Sequence, residues 1–270
     1  SLGDLYGVHW PFKQHKTSRN IKKLPHHENL KSFGACFGVS GGYERPMWFA
    51  LNGEKAEYEY SYNYQNWYPF AQYESKNTIK NVGLFDLTPF SKFEIFSENS
   101  HEELQKICTA NIKNEIGKCT YTQMLNSDGG IETDLTVVCL DKNYFRIISS
   151  AATRERDKFH IKKHIPSDIE LKDVTDDFCV FGLFGPKSRD LIKTLSNDNF
   201  ENDDFKFATA KYIIIEGIKI WTQRLSYVGE LGYELYVEFK DAKKVYELIT
   251  EVGKNFNLSN CGMHTMDIMR

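Results

Sequence analysis

The sequence lacks several features that would each assign the protein to a broad class. No apolar run reaches the length of about 18 residues that a membrane-spanning helix needs, so we expect no membrane segment. Charge of neither sign dominates, because 34 Lys and Arg residues face 37 Asp and Glu residues, for a formal net charge of −3. No basic run is interleaved with aromatic residues. We therefore expect no nucleic-acid partner.

Motifs for metal and dinucleotide binding are also missing. The six cysteines are scattered without a C-x-x-C pair, which argues against a zinc site and fits a reducing compartment. The adjacent pair His26-His27 does not have the i,i+4 spacing that metal ligands on a helix prefer. No G-x-G-x-x-G follows a strand-like segment. We predict no metal site, and a location in the cytoplasm or, in a eukaryote, in the mitochondrial matrix.

What the sequence does contain is a globular composition with an unusual first part. Of 270 residues, 41% are hydrophobic and 26% are charged, which fits a soluble protein of one large or two ordinary domains. Residues 1–50 hold clustered glycines and aromatics with little periodicity, which favours an extended strap packed on another domain. Tyrosine alternates with other residues over 58–64, which predicts a strand.

From residue 74 onward, strand-like and helix-like segments follow one another. Phe178–Phe184 is a continuous apolar run that predicts a buried strand, and residues 241–255 carry apolar side chains at helical spacing. Both halves mix antiparallel strands with helices, so we predict an α+β fold rather than a parallel doubly wound sheet. We place one unit at residues 51–165 and a second unit at residues 166–270.

A glycine turn carries the first candidate functional residue. Asn126-Ser-Asp-Gly-Gly130 is a dense turn signal, because glycine tolerates positive φ and Asn and Asp side chains bond nearby backbone. After the turn, alternation places Glu132, Asp134 and Thr136 on the polar face of a strand. A lone carboxylate on such a face is usually only solvated. From the residues alone, Asp134 is therefore either a solvated surface carboxylate or a functional one.

A second glycine turn carries the other candidates. Gly229 and Gly232 separate an incoming strand that ends at Tyr227 from an outgoing strand in which Glu234 shares a face with Tyr236. A carboxylate can accept two N–H bonds at once, and a heteroaromatic ring with an amino group beside a ring N–H offers such a pair. Glu234 could therefore recognise such a ring, with Tyr227 as a wall or donor. The alternative is a surface glutamate and a core tyrosine.

Taken together, these motifs resemble a known family. The segments similar to the folate-binding aminomethyltransferase (glycine cleavage T-protein) family are Leu125-Asn-Ser-Asp-Gly-Gly-Ile-Glu-Thr-Asp-Leu-Thr-Val137, Phe181-Gly-Leu-Phe-Gly-Pro-Lys-Ser-Arg189 and Ser226-Tyr-Val-Gly-Glu-Leu-Gly-Tyr-Glu234. Upstream, Leu5-Tyr-Gly-Val-His-Trp-Pro11 and residues 34–49 resemble the junction region of dimethylglycine and sarcosine dehydrogenases, in which a flavin oxidase-like domain is fused to a T-protein-like domain. The resemblance covers nearly the whole chain.

The resemblance implies a specific chemistry. In such enzymes the flavin domain oxidises an N-methyl amine, and the T-protein-like domain transfers the one-carbon unit to tetrahydrofolate. Asp134 falls on the family's active-site aspartate, Glu234 on its pterin-binding glutamate and Tyr227 on the tyrosine beside the folate. Tetrahydrofolate and a one-carbon donor are the implied small-molecule partners, and FAD is implied only through the protein's own flavin domain. That domain and the family's C-terminal barrel domain are expected to lie outside this chain.

The motifs also contain two arginines, Arg189 and Arg224, which we predict to be structural ion-pair partners rather than ligand contacts. Two alternatives to the dehydrogenase-linked enzyme remain. One is a stand-alone aminomethyltransferase of the glycine cleavage type or a related folate-dependent demethylase, which the strap disfavours. The other is a non-catalytic regulatory relative of the kind found with pyruvate dehydrogenase phosphatase.

Overall fold

The structure is a computed structural model that describes residues 2–270. Its helices are α1 (Leu2–Leu5), α2 (His27–Ser32), α3 (Tyr68–Lys80), α4 (Ser100–Ile107), α5 (Arg154–His164), α6 (Ser188–Leu195), α7 (Ala242–Gly253) and α8 (Met263–Met269). Its strands are β1 (Ala35–Ser40), β2 (Tyr43–Phe49), β3 (Val82–Asp86), β4 (Ser91–Phe96), β5 (Cys119–Leu125), β6 (Ile131–Asp141), β7 (Tyr144–Ser149), β8 (Leu171–Asp173), β9 (Phe178–Phe184), β10 (Ala210–Ile215), β11 (Ile218–Gln223), β12 (Gly232–Glu238) and β13 (Leu258–Cys261).

The larger of the two main sheets has six strands in the order β10-β11-β12-β9-β3-β13. Neighbouring strands are antiparallel, except that β13 runs parallel to β3. The predicted buried strand at 178–184 is confirmed as β9, near the centre of this sheet. Helices α6 and α7 cover one face, because their apolar sides bury Leu191, Ile192, Val245 and Ile249 against the strands.

The second main sheet has five antiparallel strands in the order β5-β6-β7-β4-β8. Its outer face packs against α4 and α5 through residues such as Leu104 and Ile161. The prediction of an α+β fold with antiparallel and mixed sheets is confirmed. No helix within residues 2–270 is both long and apolar enough to cross a membrane.

The two main sheets pack face to face through an apolar layer, which we call the inner layer. Val138 and Cys119 enter it from the five-stranded sheet, and Val180, Trp221 and Tyr236 enter it from the six-stranded sheet. Because side chains alternate across a strand, every second residue of β6 and β12 points into this layer. The order of layers is therefore helix, sheet, sheet, helix.

Strand pairings cross the predicted boundary between the two units in both main sheets. Strand β8 follows residue 165, yet it pairs with β4 of the five-stranded sheet. Strand β3 precedes residue 165, yet it pairs with β9 and β13, which follow that residue. The sheets are thus interleaved along the chain, and the division into residues 51–165 and 166–270 stays a prediction about domains.

The aromatic-rich first part is more regular than expected. Residues 1–50 were expected to form an extended strap with little periodicity, but they include α2 and the antiparallel hairpin β1-β2. The strand predicted over 58–64 is wrong. The hydroxyls of Tyr58, Tyr60 and Tyr62 instead bond His264 Nε2, the Gln14 backbone amide and the His9 carbonyl. Hydrogen bonds of the tyrosine side chains, rather than strand pairing, therefore hold this segment in place.

One buried carboxylate ties the strap to the rest of the fold. Glu74 in α3 is 2% exposed and accepts hydrogen bonds from the backbone N–H of Phe49 at 2.9 Å and of Gly262 at 2.8 Å, and from the Thr265 hydroxyl. These donors belong to the end of β2 and the start of α8. Burial raises the pKa of Glu74 to about 7.

We expect Glu74→Ala to destabilise the fold by about 3 kcal/mol or more, because it leaves three donors without their acceptor. Urea denaturation measures this change. The matched control is Glu251→Ala, since Glu251 is exposed and pairs with the exposed Lys254. It should change stability little. Because burial raises the folded pKa of Glu74, the fold should lose part of its stability as pH rises from 4.5 to about 7, and the alanine variant should lack that slope. Equal stability of the two variants would contradict this role.

Candidate functional site

The two candidate carboxylates lie on facing surfaces of the inner layer. Asp134 in β6 has the same side-chain direction as Val138, and Glu234 in β12 has the same direction as Tyr236. Val138 and Tyr236 both belong to the inner layer. The polar face predicted for the hairpin strand is therefore the face that turns toward the other sheet.

Asp134 lies where the inner layer opens to solvent. The predicted hairpin is confirmed, with Gly129 at φ 79° and the Asn126 side chain accepting from the Gly130 amide at 2.8 Å. The Asp134 side chain is exposed, and Tyr121 from the neighbouring strand donates its hydroxyl to Asp134 Oδ2 at 2.9 Å. This hydrogen bond raises the pKa of Tyr121. The bond holds one carboxylate oxygen, and Oδ1 remains available.

Glu234 lies deeper between the sheets. It pairs with Gln223 of β11 on one side and with Gly182 of β9 on the other. Tyr236 donates its hydroxyl to Glu234 Oε2 at 3.1 Å. Burial is the main cause that raises the pKa of Glu234 to about 7, and the hydrogen bond from Tyr236 opposes it.

Tyr227 lies on a loop rather than at the end of a strand. Strand β11 ends at Gln223, so the predicted strand end at Tyr227 is wrong. The Tyr227 ring packs at 6.0 Å from the Phe90 ring, and the Arg270 guanidinium lies 5.0 Å from its centroid. Burial raises the pKa of the Tyr227 hydroxyl, and the negative charge of Asp134 also acts on it. The loop therefore brings Tyr227 near Asp134.

The candidate residues form a strip along the inner layer. The charge of Glu234 adds to burial in raising the pKa of the Cys119 thiol, so Glu234 faces the start of β5. Asp134 pairs with Gln123, four residues further along that strand. Four residues of antiparallel strand span about 14 Å. Asp134 and Glu234 therefore lie toward opposite ends of a strip that an elongated ligand could contact.

The two motif arginines are structural, but not as predicted. Arg189 donates to the Tyr233 hydroxyl at 3.2 Å and to Asn202 Oδ1 at 2.6 Å. Arg224 donates to the same Asn202 oxygen at 2.8 Å and to the Phe205 carbonyl. The predicted ion pairs are thus replaced by hydrogen bonds to a shared amide and to neutral oxygens.

Gln223 is a candidate site residue that the sequence interpretation missed. Its side chain is 0% exposed, and neither amide atom has a hydrogen-bond partner in the described part of the chain. Buried polar atoms without a hydrogen-bond partner are rare in folded proteins. They point either to a partner that is absent from the structure or to a local loss of stability. The sequence carried little signal for it, because Lys219 and Thr222 of the same strand are also polar.

The strip presents carboxylate oxygens as hydrogen-bond acceptors, and the Arg270 guanidinium lies beside Tyr227. Within residues 2–270, no group of three or more His, Cys, Asp or Glu side chains is arranged to hold a metal ion. Glu234 can accept N–H donors from a ring seated in the layer, and Asp134 can stabilise positive charge or hold a proton near solvent. Whether these residues act in this way stays a prediction.

Comparison with known proteins gives consistent matches. The family described as GCVT N-terminal domain matches residues 26–270. The 4-methylaminobutanoate oxidase (formaldehyde-forming) of Paenarthrobacter nicotinovorans is 34% identical over 270 residues, which are 100% of this chain and 33% of that protein. The mitochondrial dimethylglycine dehydrogenase of Rattus norvegicus is 29% identical over 266 residues, 97% of this chain and 31% of that protein. The chain thus spans about a third of the length of these curated relatives.

A solved structure matches the fold. The glycine cleavage system aminomethyltransferase T from Bartonella henselae aligns with a TM-score of 0.75 at 19% identity, over 93% of this chain and 62% of that chain. At this identity the likeness shows the fold alone.

We expect Gln223→Met to stabilise the ligand-free protein by about 1 kcal/mol, because it replaces an unpartnered buried amide with an apolar side chain of similar shape. This corresponds to a rise of about 2–4 °C in Tm, measured by calorimetry. The matched control is Gln105→Met, since the Gln105 amide donates to the Ala110 carbonyl and accepts from the Ile112 amide. The control should lower Tm. A lower Tm in both variants would show that Gln223 has a partner.

Proposed function

This chain belongs to the GCVT N-terminal domain family, and we propose from that membership that it transfers a one-carbon unit to tetrahydrofolate. We propose further that it is the folate half of a flavin-dependent dehydrogenase of the dimethylglycine or sarcosine type. The observation that carries the proposal is the placement of Asp134 and Glu234 on facing surfaces of the inner layer, toward the two ends of one strip. The names of these relatives support an N-methylated amine as the substrate class.

Glu234 fits the ring of a folate. Its carboxyl group lies in the mostly apolar inner layer beside the Gln223 amide, and burial and the Tyr236 hydroxyl are the two influences on its ionisation. A buried carboxylate without a cationic partner is costly, and N–H donors from a ligand would offset that cost. An aminopterin-type edge presents an amino group beside a ring N–H, which matches the two oxygens of one carboxylate.

Tyr227 would form one wall of the same site. Its ring already packs against Phe90 at the edge of the inner layer. Aromatic faces bury planar rings favourably, and the hydroxyl gives Tyr227 a polar end. Tyr227 would thereby orient a bound ring between the two carboxylates.

Asp134 would act where the one-carbon unit is transferred. Tetrahydrofolate, when bound, supplies the nitrogen that takes up that unit. Tyr121 holds Oδ2 of Asp134, so the carboxylate is oriented while Oδ1 stays available. An anion within about 4 Å of a positively charged nitrogen is worth a few kcal/mol at intermediate dielectric. Asp134 can also accept and hold the proton of a nitrogen at its oxygen.

The oxidation of the amine would belong to another part of the protein. The sequence of this chain has no glycine-rich dinucleotide turn, so we propose that FAD is bound by the protein's own flavin domain. Relatives about three times as long support such a partner domain. In a eukaryote we propose the mitochondrial matrix as the location, which the name of the rat relative supports.

We expect Glu234→Ala to weaken binding of tetrahydrofolate to the full-length protein by about 1 to 3 kcal/mol, the cost of leaving buried N–H donors unpaired. Titration calorimetry measures this. Glu238→Ala is the matched control. Glu238 lies four residues further along the same face of β12, but it is exposed and pairs with Lys240 at 2.6 Å. If the unmodified full-length protein bound no tetrahydrofolate, the enzyme proposal would fail and the regulatory alternative would gain support.

We expect Asp134→Ala to leave amine oxidation by the full-length protein intact while free formaldehyde replaces methylenetetrahydrofolate as the product. The reason is that Asp134 would act on transfer and not on oxidation. Product analysis with and without tetrahydrofolate measures the ratio. Glu132→Ala is the control, since Glu132 lies on the same face of β6 as Asp134, two residues nearer the turn. Unchanged one-carbon capture in Asp134→Ala would remove Asp134 from the mechanism.

A further inference from the structure

We propose that Tyr236 is a positioning residue for Glu234, and that its hydroxyl holds the carboxylate oriented toward a ligand in the inner layer. This inference rests on the proposed ring-binding role of Glu234. It concerns a residue that would not itself contact the ligand's reacting atoms.

The first observation is the geometry of the pair. Tyr236 and Glu234 are two residues apart on β12, so their side chains point to the same face. The Tyr236 hydroxyl donates to Glu234 Oε2 at 3.1 Å. Oε1 and the second lone pair of Oε2 remain free for N–H donors. The hydroxyl therefore restricts the carboxylate without occupying it.

The second observation is that the Tyr236 ring is held on several sides. It is 2% exposed and lies opposite Trp221 on β11 and Val180 on β9. The guanidinium of Arg146, from the other sheet, lies 5.4 Å from its centroid. A ring packed in this way has little freedom to rotate, so the position of its hydroxyl is fixed by both sheets.

Arg146 is itself anchored. It pairs with Glu94 at 2.6 Å, and both side chains are nearly buried. Its guanidinium also lies 4.4 Å from the centroid of the Phe178 ring. Arg146 of the five-stranded sheet thereby restricts the ring of Tyr236 in the six-stranded sheet. The Tyr236 hydroxyl in turn restricts the Glu234 carboxylate.

The third observation is the shortage of other donors around Glu234. From β11 it faces Gln223, whose side-chain amide makes no hydrogen bond in the described residues, and from β9 it faces Gly182. From β5 it faces the Cys119 thiol, whose pKa is raised mainly by burial and further by Glu234. Tyr236 is thus the titratable neighbour that donates to the carboxylate. A donor of this kind favours the ionised form, which is the form that accepts two N–H bonds.

The test is Tyr236→Phe in the full-length protein, which keeps the ring and removes only the hydroxyl. Titration calorimetry with tetrahydrofolate across the neutral and alkaline range should show the pH midpoint of binding rising by about one unit. Affinity at about pH 7 should fall about fivefold, and the two proteins should converge at alkaline pH, where Glu234 is ionised in both.

The control is Tyr246→Phe. Tyr246 is also buried, and it donates its hydroxyl to Asn260 Oδ1 at 2.8 Å, on the opposite side of the six-stranded sheet. It should leave the midpoint unchanged. An unchanged midpoint in Tyr236→Phe, or an equal loss of affinity at every pH, would overturn the proposal, because a purely structural contact has no pH signature.

A second measurement separates this inference from the proposed function. Infrared difference spectroscopy can follow ionisation of the Glu234 carboxyl in the ligand-free protein, with Glu234→Gln used to assign the band. Tyr236→Phe should raise that ionisation midpoint whether or not tetrahydrofolate binds. A raised midpoint without any folate binding would support the Tyr236 contact and refute the folate function. An unmoved midpoint would refute the positioning role alone.

Discussion

The packing of two sheets across one inner layer is the constraint on which the site depends. Each strand that borders the layer must send every second side chain into it, and most of these side chains are apolar. Polar groups placed there are costly unless they find partners. Glu234 and Gln223 are such groups, and they lie side by side on neighbouring strands. We infer that the protein tolerates this cost because the layer is where a polar, planar ligand binds.

The same layer explains why two carboxylates have different properties. Asp134 lies at the solvent end, where Tyr121 is its hydrogen-bond donor, while Glu234 lies inside, where burial raises its pKa to about 7. Tyr227 is placed near Asp134 by a loop rather than by a strand. This contrast fits the two proposed roles, in which Glu234 binds a ring and Asp134 stabilises positive charge during transfer.

Local pattern predicted a large part of the fold, and it failed where contacts were distant in sequence. The hairpin after Asn126, the buried strand Phe178–Phe184 and the shared face of Glu234 and Tyr236 depend on turn chemistry and alternation, which are local. The alternating tyrosines at 58–64 wrongly predicted a strand. Their hydroxyls bond partners far away in the sequence, and within residues 2–270 no strand pairs with this segment. Strand β13 was not predicted, since four residues of mixed polarity carry little signal until they pair with β3.

The sequence by itself determined the α+β class, the family resemblance, and the choice of Asp134, Tyr227 and Glu234 as candidates. These follow from spacing, glycine turns and motifs, which can be seen one segment at a time. Only the tertiary structure decided that the polar face of β6 turns toward β12, and that Gln223 lies unpartnered beside Glu234. Two-residue periodicity separates the faces of a strand but cannot say what covers each face, because that depends on how the sheets pack.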